Sequence, residues 1–86
     1  MFSRTLTIRS KSGLHARPAA VFAETAGRFL SAVAVTKGGQ RVDGKSVLSL
    51  MLLEANRGAE VTIEAEGEDE VAAVNQLADL LLQDGD

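Results

Sequence analysis

The stretch Ala32-Val33-Ala34-Val35-Thr36-Lys37-Gly38-Gly39-Gln40-Arg41-Val42-Asp43 carries two short runs on either side of a glycine pair. In the first, Ala32 to Thr36, Val33 and Val35 recur at the two-residue period of a strand with one buried face. Gly38 and Gly39 are both free to take positive φ, so this run and the second, Arg41 to Asp43, are predicted to close into a β-hairpin. Upstream, Phe2 to Arg9 alternates as well, with Leu6 and Ile8 on one face and Thr5 and Thr7 on the other, and reads as strand one. Lys11-Ser12-Gly13 breaks it. From Pro18 the period lengthens: Ala19, Phe22, Ala26 and Phe29 or Leu30 recur at three and four residues, the spacing of an amphipathic helix.

Downstream of the hairpin, Ser46 can cap a short helix over Val47 to Leu53, which Asn56 and Gly58 would end. Val61, Ile63 and Ala65 then face inward against Thr62, Glu64 and Glu66, giving strand four. After Gly67, Asp69 can cap a last helix with the stripe Val71, Val74, Leu77, Ala78 and Leu81, its acids gathered toward the N-terminal end where the macrodipole favours them. The order is β-α-β-β-α-β-α. Four strands with three helices make an α+β two-layer sandwich, with helices on one sheet face and the Thr and Glu side of the strands turned to water.

Composition narrows the function. Eighty-six residues support one domain, 1–86, and the balance of 45% hydrophobic to 24% charged residues is that of a globular chain. The longest apolar run, Ala19 to Ala23, is far short of the ~18 residues of a membrane span, and the N-terminus does not read as a secretory signal. No membrane insertion and a cytoplasmic location are expected. With no cysteine and His15 as the only histidine, neither a disulfide framework nor a metal site is expected, and no cofactor. Three phenylalanines without a stacking motif, and a net charge of -3, argue against nucleic acid. All nine bases lie within residues 1–57 with three acids, whereas residues 58–86 hold nine acids and no base. Such asymmetry fits a positive surface that steers an anionic partner, and equally a solubilising acidic C-terminal helix.

Chemistry concentrates at Gly13-Leu14-His15-Ala16-Arg17-Pro18-Ala19-Ala20. The lone histidine stands at a helix entrance, where free backbone N–H groups and roughly half a positive charge offer a site for phosphate. Pro18 has no N–H, so Ala16, Arg17 and the following turn must supply the donors. Proline suits a first turn, yet the residue before it is biased away from helix, so the start falls at Ala16 or at Pro18. Imidazole is neutral for much of the time near pH 7 and can act as a nucleophile. A phosphoryl group on it would lie in the field of the helix terminus and Arg17. Phosphoryl transfer asks mainly for positioning and charge stabilisation, so these groups suffice if a partner enzyme provides the rest. A second feature is Gly44 to Leu53: six of the seven residues Val47 to Leu53 are apolar, more than one buried stripe can hold. Either Val47, Leu48 and Met51 form an exposed patch, or the helix is buried centrally with Ser46 as its cap.

With these motifs the chain resembles the HPr family, the histidine-containing phosphocarriers of the bacterial phosphoenolpyruvate-dependent phosphotransferase system. The resemblance covers essentially the whole chain. It rests on Gly13-Leu14-His15-Ala16-Arg17-Pro18-Ala19, on Gly44-Lys45-Ser46 and on the run Val61 to Glu70. It implies that family's open-faced β-sandwich, a four-stranded antiparallel sheet covered by three helices. It also implies a phosphocarrier rather than an enzyme. His15 would take a phosphoryl group on Nδ1 from enzyme I and pass it to enzyme IIA components of the sugar phosphotransferase system, with Arg17 beside the phosphoryl group and Ala16 and Arg17 binding it. Ser46 matches the site of a regulatory serine kinase and phosphorylase in some branches, and Leu14, Ala20, Val47, Leu48 and Met51 match a docking surface. A monomer is expected.

The chain departs from the family pattern in carrying Glu24 and Gly27 where many members have lysines, and Glu54 where glycine is common. The wording of Leu50 to Asn56 leans toward a nitrogen-related regulatory branch, which stands as the alternative to sugar transport. A ferredoxin-like binding module shares the element order but would need stacking aromatics or a cysteine pair. A small-molecule regulatory domain gives His15 and Arg17 no task.

Overall fold

Each run of alternation in the sequence becomes a strand in the computed structural model, and each run of three-and-four spacing becomes a helix. The structure describes residues 1–11 and 13–83, so Ser12, part of the expected break after strand one, and residues 84–86 lie outside the described residues. The elements are β1 (Phe2–Thr7), α1 (Ala16–Gly27), β2 (Ala32–Lys37), β3 (Gln40–Asp43), α2 (Val47–Leu52), β4 (Glu60–Glu66) and α3 (Glu70–Leu82). The sheet is antiparallel throughout, in the order β1-β4-β2-β3.

Register explains which face is buried. Leu6 lies opposite Val61 and Ile63 opposite Val35, all four buried beneath the helices, whereas Thr5 lies opposite Thr62 and their hydroxyls bond at 2.8 Å. Beneath the helices Ile8, Val33 and Ala65 join Phe22, Leu50, Leu77 and Leu81 in a continuous core. Burying each large side chain contributes about 1.5–3 kcal/mol, and this holds the helices to one face of the sheet. Arg4 shares the inner parity of β1 but sits on an edge strand, and its guanidinium reaches Asn75 on α3 at 3.1 Å.

Several local expectations need correction. The hairpin uses positive φ at Gly38 alone, not at Gly39. Of the two residues expected as alternatives at the end of the first helical stripe, Phe29 is the one that packs against the core, as one of the two readings had it, while Leu30 stays 81% exposed. The short helix stops at Leu52, and what turns the chain is Glu54 in the left-handed region (φ 53°), well before Asn56 or Gly58. Asp69 occupies the N-cap position of α3 without capping it: its carboxylate instead accepts from the amides of Leu30 (2.8 Å) and Ser31 (2.9 Å) and from the Ser31 hydroxyl (2.5 Å). The amide of Gly67 donates to Glu70 Oε1 at that terminus. Val71 is 50% exposed, and Ala73 takes its place in the buried stripe beside Val74, Leu77, Ala78 and Leu81.

Candidate functional site

The loop from β1 to α1 is seated on the exit of α2. The Leu14 amide donates to the Ala55 carbonyl at 2.8 Å, and the Gly58 amide donates to the Ile8 carbonyl at 2.9 Å. Gly13 has φ +60°, and a Cβ there would fall 2.6 Å from the Ala55 carbonyl oxygen, so only glycine lets the two segments approach. Leu14 turns inward and is 2% exposed, locked into the core. This corrects its expected place on a docking surface: the backbone of Leu14 sets the loop, and its side chain is out of a partner's reach.

His15 follows as the N-cap residue of α1, with extended backbone (φ −80°, ψ −174°), and its carbonyl accepts the first helical bond from Ala19 at 2.8 Å. The helix therefore starts at Ala16, although Arg17 precedes proline. Pro18 falls in the first turn, where the N–H it lacks would have no helical acceptor. The imidazole makes no capping hydrogen bond and is exposed. The amides of Ala16 and Arg17 precede the first helical bond and lie at the positive end of a helix of 12 residues. Arg17 is exposed, and none of the ion pairs among the described residues engages it. A hollow beside it is lined by Ser10, Pro18, Val21, Leu80 and Gln83; a larger one lies on the outer sheet face, lined by Arg41 and Glu64 among others and by no residue of the His15 loop. His15, Ala16 and Arg17 thus stand in succession at the entrance of α1.

Ser46 does not join them. It caps α2 at the end away from Ala55, with its hydroxyl accepting from the Ser49 amide at 3.2 Å. Of the two readings of α2, the exposed patch is the observed one. Only Leu50 of the helix is buried, while Val47 is 38%, Leu48 67% and Met51 40% exposed. Leu52, at 62%, extends the patch, a position the sequence reading left unassigned although the excess of apolar residues implied it. Ala20 is exposed on α1, which packs against α2. The expected split of charge is partial: Arg41 pairs with Glu64 across the outer sheet face, yet Arg9, Lys11, Arg17 and Arg57 are all exposed on the segments that meet around His15.

A family model described as the PTS HPr component phosphorylation site matches residues 2–83. The HPr-like protein Crh of Bacillus subtilis is 46% identical over 78 residues, 91% of this chain and 92% of that protein. A crystal structure of Crh, described as a dimer with a swapped domain, superposes with a TM-score of 0.75 at 44% identity, covering 94% of this chain and 93% of that one. The phosphocarrier protein HPr of Neisseria meningitidis is 43% identical over 81 residues, 94% of this chain and 91% of the relative. Among solved structures, HPr of Thermoanaerobacter tengcongensis matches with a TM-score of 0.90 at 43% identity, covering 94% of this chain and 91% of that one.

Proposed function

The chain belongs to the HPr family of phosphotransferase-system phosphocarriers, which are carriers and not enzymes, and on that premise we propose that His15 is its phosphoryl acceptor. The observation that carries the reading is an exposed imidazole at the N-terminus of α1, spared from capping and followed by an arginine outside every ion pair among the described residues. The Nδ1 lone pair attacks the phosphorus presented by phospho-enzyme I. The P–Nδ1 bond forms as the bond to enzyme I breaks, and that electron pair leaves with enzyme I. The phosphoryl oxygens then meet the Ala16 and Arg17 amides and the Arg17 guanidinium. Onward transfer to an enzyme IIA domain reverses these roles.

The patch formed by Val47, Leu48, Met51 and Leu52, with Ala20 beside it on α1, is the docking surface for both partners, with the apolar centre and charged surroundings that protein interfaces show. Ser46 stands at its rim, where a serine kinase would add charge. The sugar branch is the primary reading and a nitrogen-related regulatory branch the alternative; the likeness to Crh, described as a catabolite-repression HPr, supports a regulatory variant without pointing to nitrogen. We read the chain as a cytoplasmic monomer; a dimer like that described for Crh would show in light scattering. Incubation with enzyme I and phosphoenolpyruvate should yield an acid-labile phosphate that tandem mass spectrometry places on His15. A phosphate elsewhere, or none, overturns the assignment.

A further inference from the structure

Alternation along β2 places Lys37 on the same face as Val33 and Val35, beneath the helices, where a lysine is out of character. It is only half-buried, and its ammonium donates to two successive carbonyls at the end of α2, Leu53 at 3.3 Å and Glu54 at 3.1 Å. Helix ends leave such carbonyls without partners and slightly negative, so a cation suits them. Between this clamp and His15 the connection is short. Glu54 holds a left-handed conformation that residues other than glycine seldom adopt. The next carbonyl, that of Ala55, receives the Leu14 amide at 2.8 Å and lies against Gly13. Leu14 is followed at once by His15.

We propose that Lys37 is a positioning residue for His15: by holding the Leu53 and Glu54 carbonyls it keeps Glu54 left-handed, which aims the Ala55 carbonyl at the Leu14 amide. Three successive carbonyls are thus shared between one cation and the active loop. If Glu54 relaxes toward ordinary φ, the Ala55 peptide rotates and the loop loses its seat. Lys37 touches no phosphoryl group and acts through the backbone. The inference rests on the transfer reading of His15 for its functional half only, since the mechanical half concerns the Leu14 amide.

The test reads amide hydrogen exchange and transfer kinetics in Lys37→Ala, Lys37→Arg and the double variant Lys37→Ala with Glu54→Gly. In Lys37→Ala the Leu14 amide should exchange about tenfold faster, equivalent to about 1.4 kcal/mol of local opening, while amides of the central strand β4 keep their parent rates. The maximal rate of phosphoryl acceptance should fall by a similar factor, roughly, because misplacement of a reacting group costs rate. Lys37→Arg should restore both. Glu54→Gly should restore both in the Lys37→Ala background, because glycine needs no clamp to stay left-handed, while any rise in KM from the lost surface charge should persist. Unchanged Leu14 exchange in Lys37→Ala overturns the proposal, as does a Glu54→Gly background that fails to rescue. If the parent chain takes no phosphate, the transfer reading fails, and Leu14 exchange still decides whether Lys37 holds the loop.

Discussion

The Leu14 amide and the Ala55 carbonyl, 2.8 Å apart, join the loop that carries His15 to the exit of α2, and this bond makes the geometry of the candidate site a property of two elements. Gly13 is the hinge of that contact. Gly13→Ala combines a left-handed φ with a Cβ 2.6 Å from the Ala55 oxygen and 2.8 Å from Asn56 Cα. We expect a loss of more than ~1 kcal/mol in denaturant titration, with phosphoryl acceptance slowed beyond what the unfolded fraction explains. A variant as stable and as active as the parent would mean that the two segments need not touch.

Arg17 is expected to act on the phosphoryl group in both directions of transfer. Arg17→Ala should slow acceptance from enzyme I and donation to enzyme IIA alike, and Arg17→Lys should recover part of each rate, since a point charge lacks the planar fork. Stopped transfer assays on the three proteins check this. Equal rates would leave the Ala16 and Arg17 amides as the only phosphate donors that matter.

At Ser46 stability and activity should part company. Ser46→Ala removes the oxygen that accepts from Ser49 and should cost ~0.5–2 kcal/mol. Ser46→Asp keeps a cap and places negative charge at a helix N-terminus, so thermal stability should hold or rise. Transfer from enzyme I should nevertheless fall, because that charge borders the exposed Val47, Leu48 and Met51. Parent-like transfer by Ser46→Asp would reduce Ser46 to a cap.

Acid stability should depend on Asp69. The Ser31 hydroxyl first, and then the Leu30 amide, hold its carboxyl below the usual carboxylate range. A group whose pKa is depressed by folding stabilises the fold above its unfolded value and loses that contribution as pH falls through the folded one, here below about pH 4. Asp69→Asn should therefore lower the melting temperature at neutral pH and flatten its decline in acid. Melting curves from pH 7 to about pH 2 measure this; an unchanged acid slope would refute the role.

Much of this was readable beforehand because periodicity reports burial directly. Leu6 and Ile8, Val33 and Val35, and Val61, Ile63 and Ala65 are buried as their alternation requires. The His15-Arg17 cluster was equally legible, since a proline and a following apolar stripe mark a helix entrance. What stayed hidden depends on contacts far apart in the chain. Asp69 looks like a cap in isolation, but its carboxylate is drawn off by the amides of Leu30 and Ser31. Leu14 matches a docking position by motif, yet the pull of Gly13 onto Ala55 turns its side chain inward. Neither Lys37 nor Glu54 announces the clamp between them, because nothing local signals that β2 ends beside the exit of α2.

The central claim is that His15 carries the phosphoryl group, and on Nδ1. Long-range proton–nitrogen correlation spectra of the ¹⁵N-labelled protein, recorded before and after adding catalytic enzyme I with phosphoenolpyruvate, address it most directly, because they report each imidazole nitrogen separately. The account predicts a large shift of the His15 Nδ1 resonance with coupling to phosphorus, reversed when an enzyme IIA acceptor is added. His15 nitrogens that keep their positions, or a phosphorus coupling at Nε2, would contradict it.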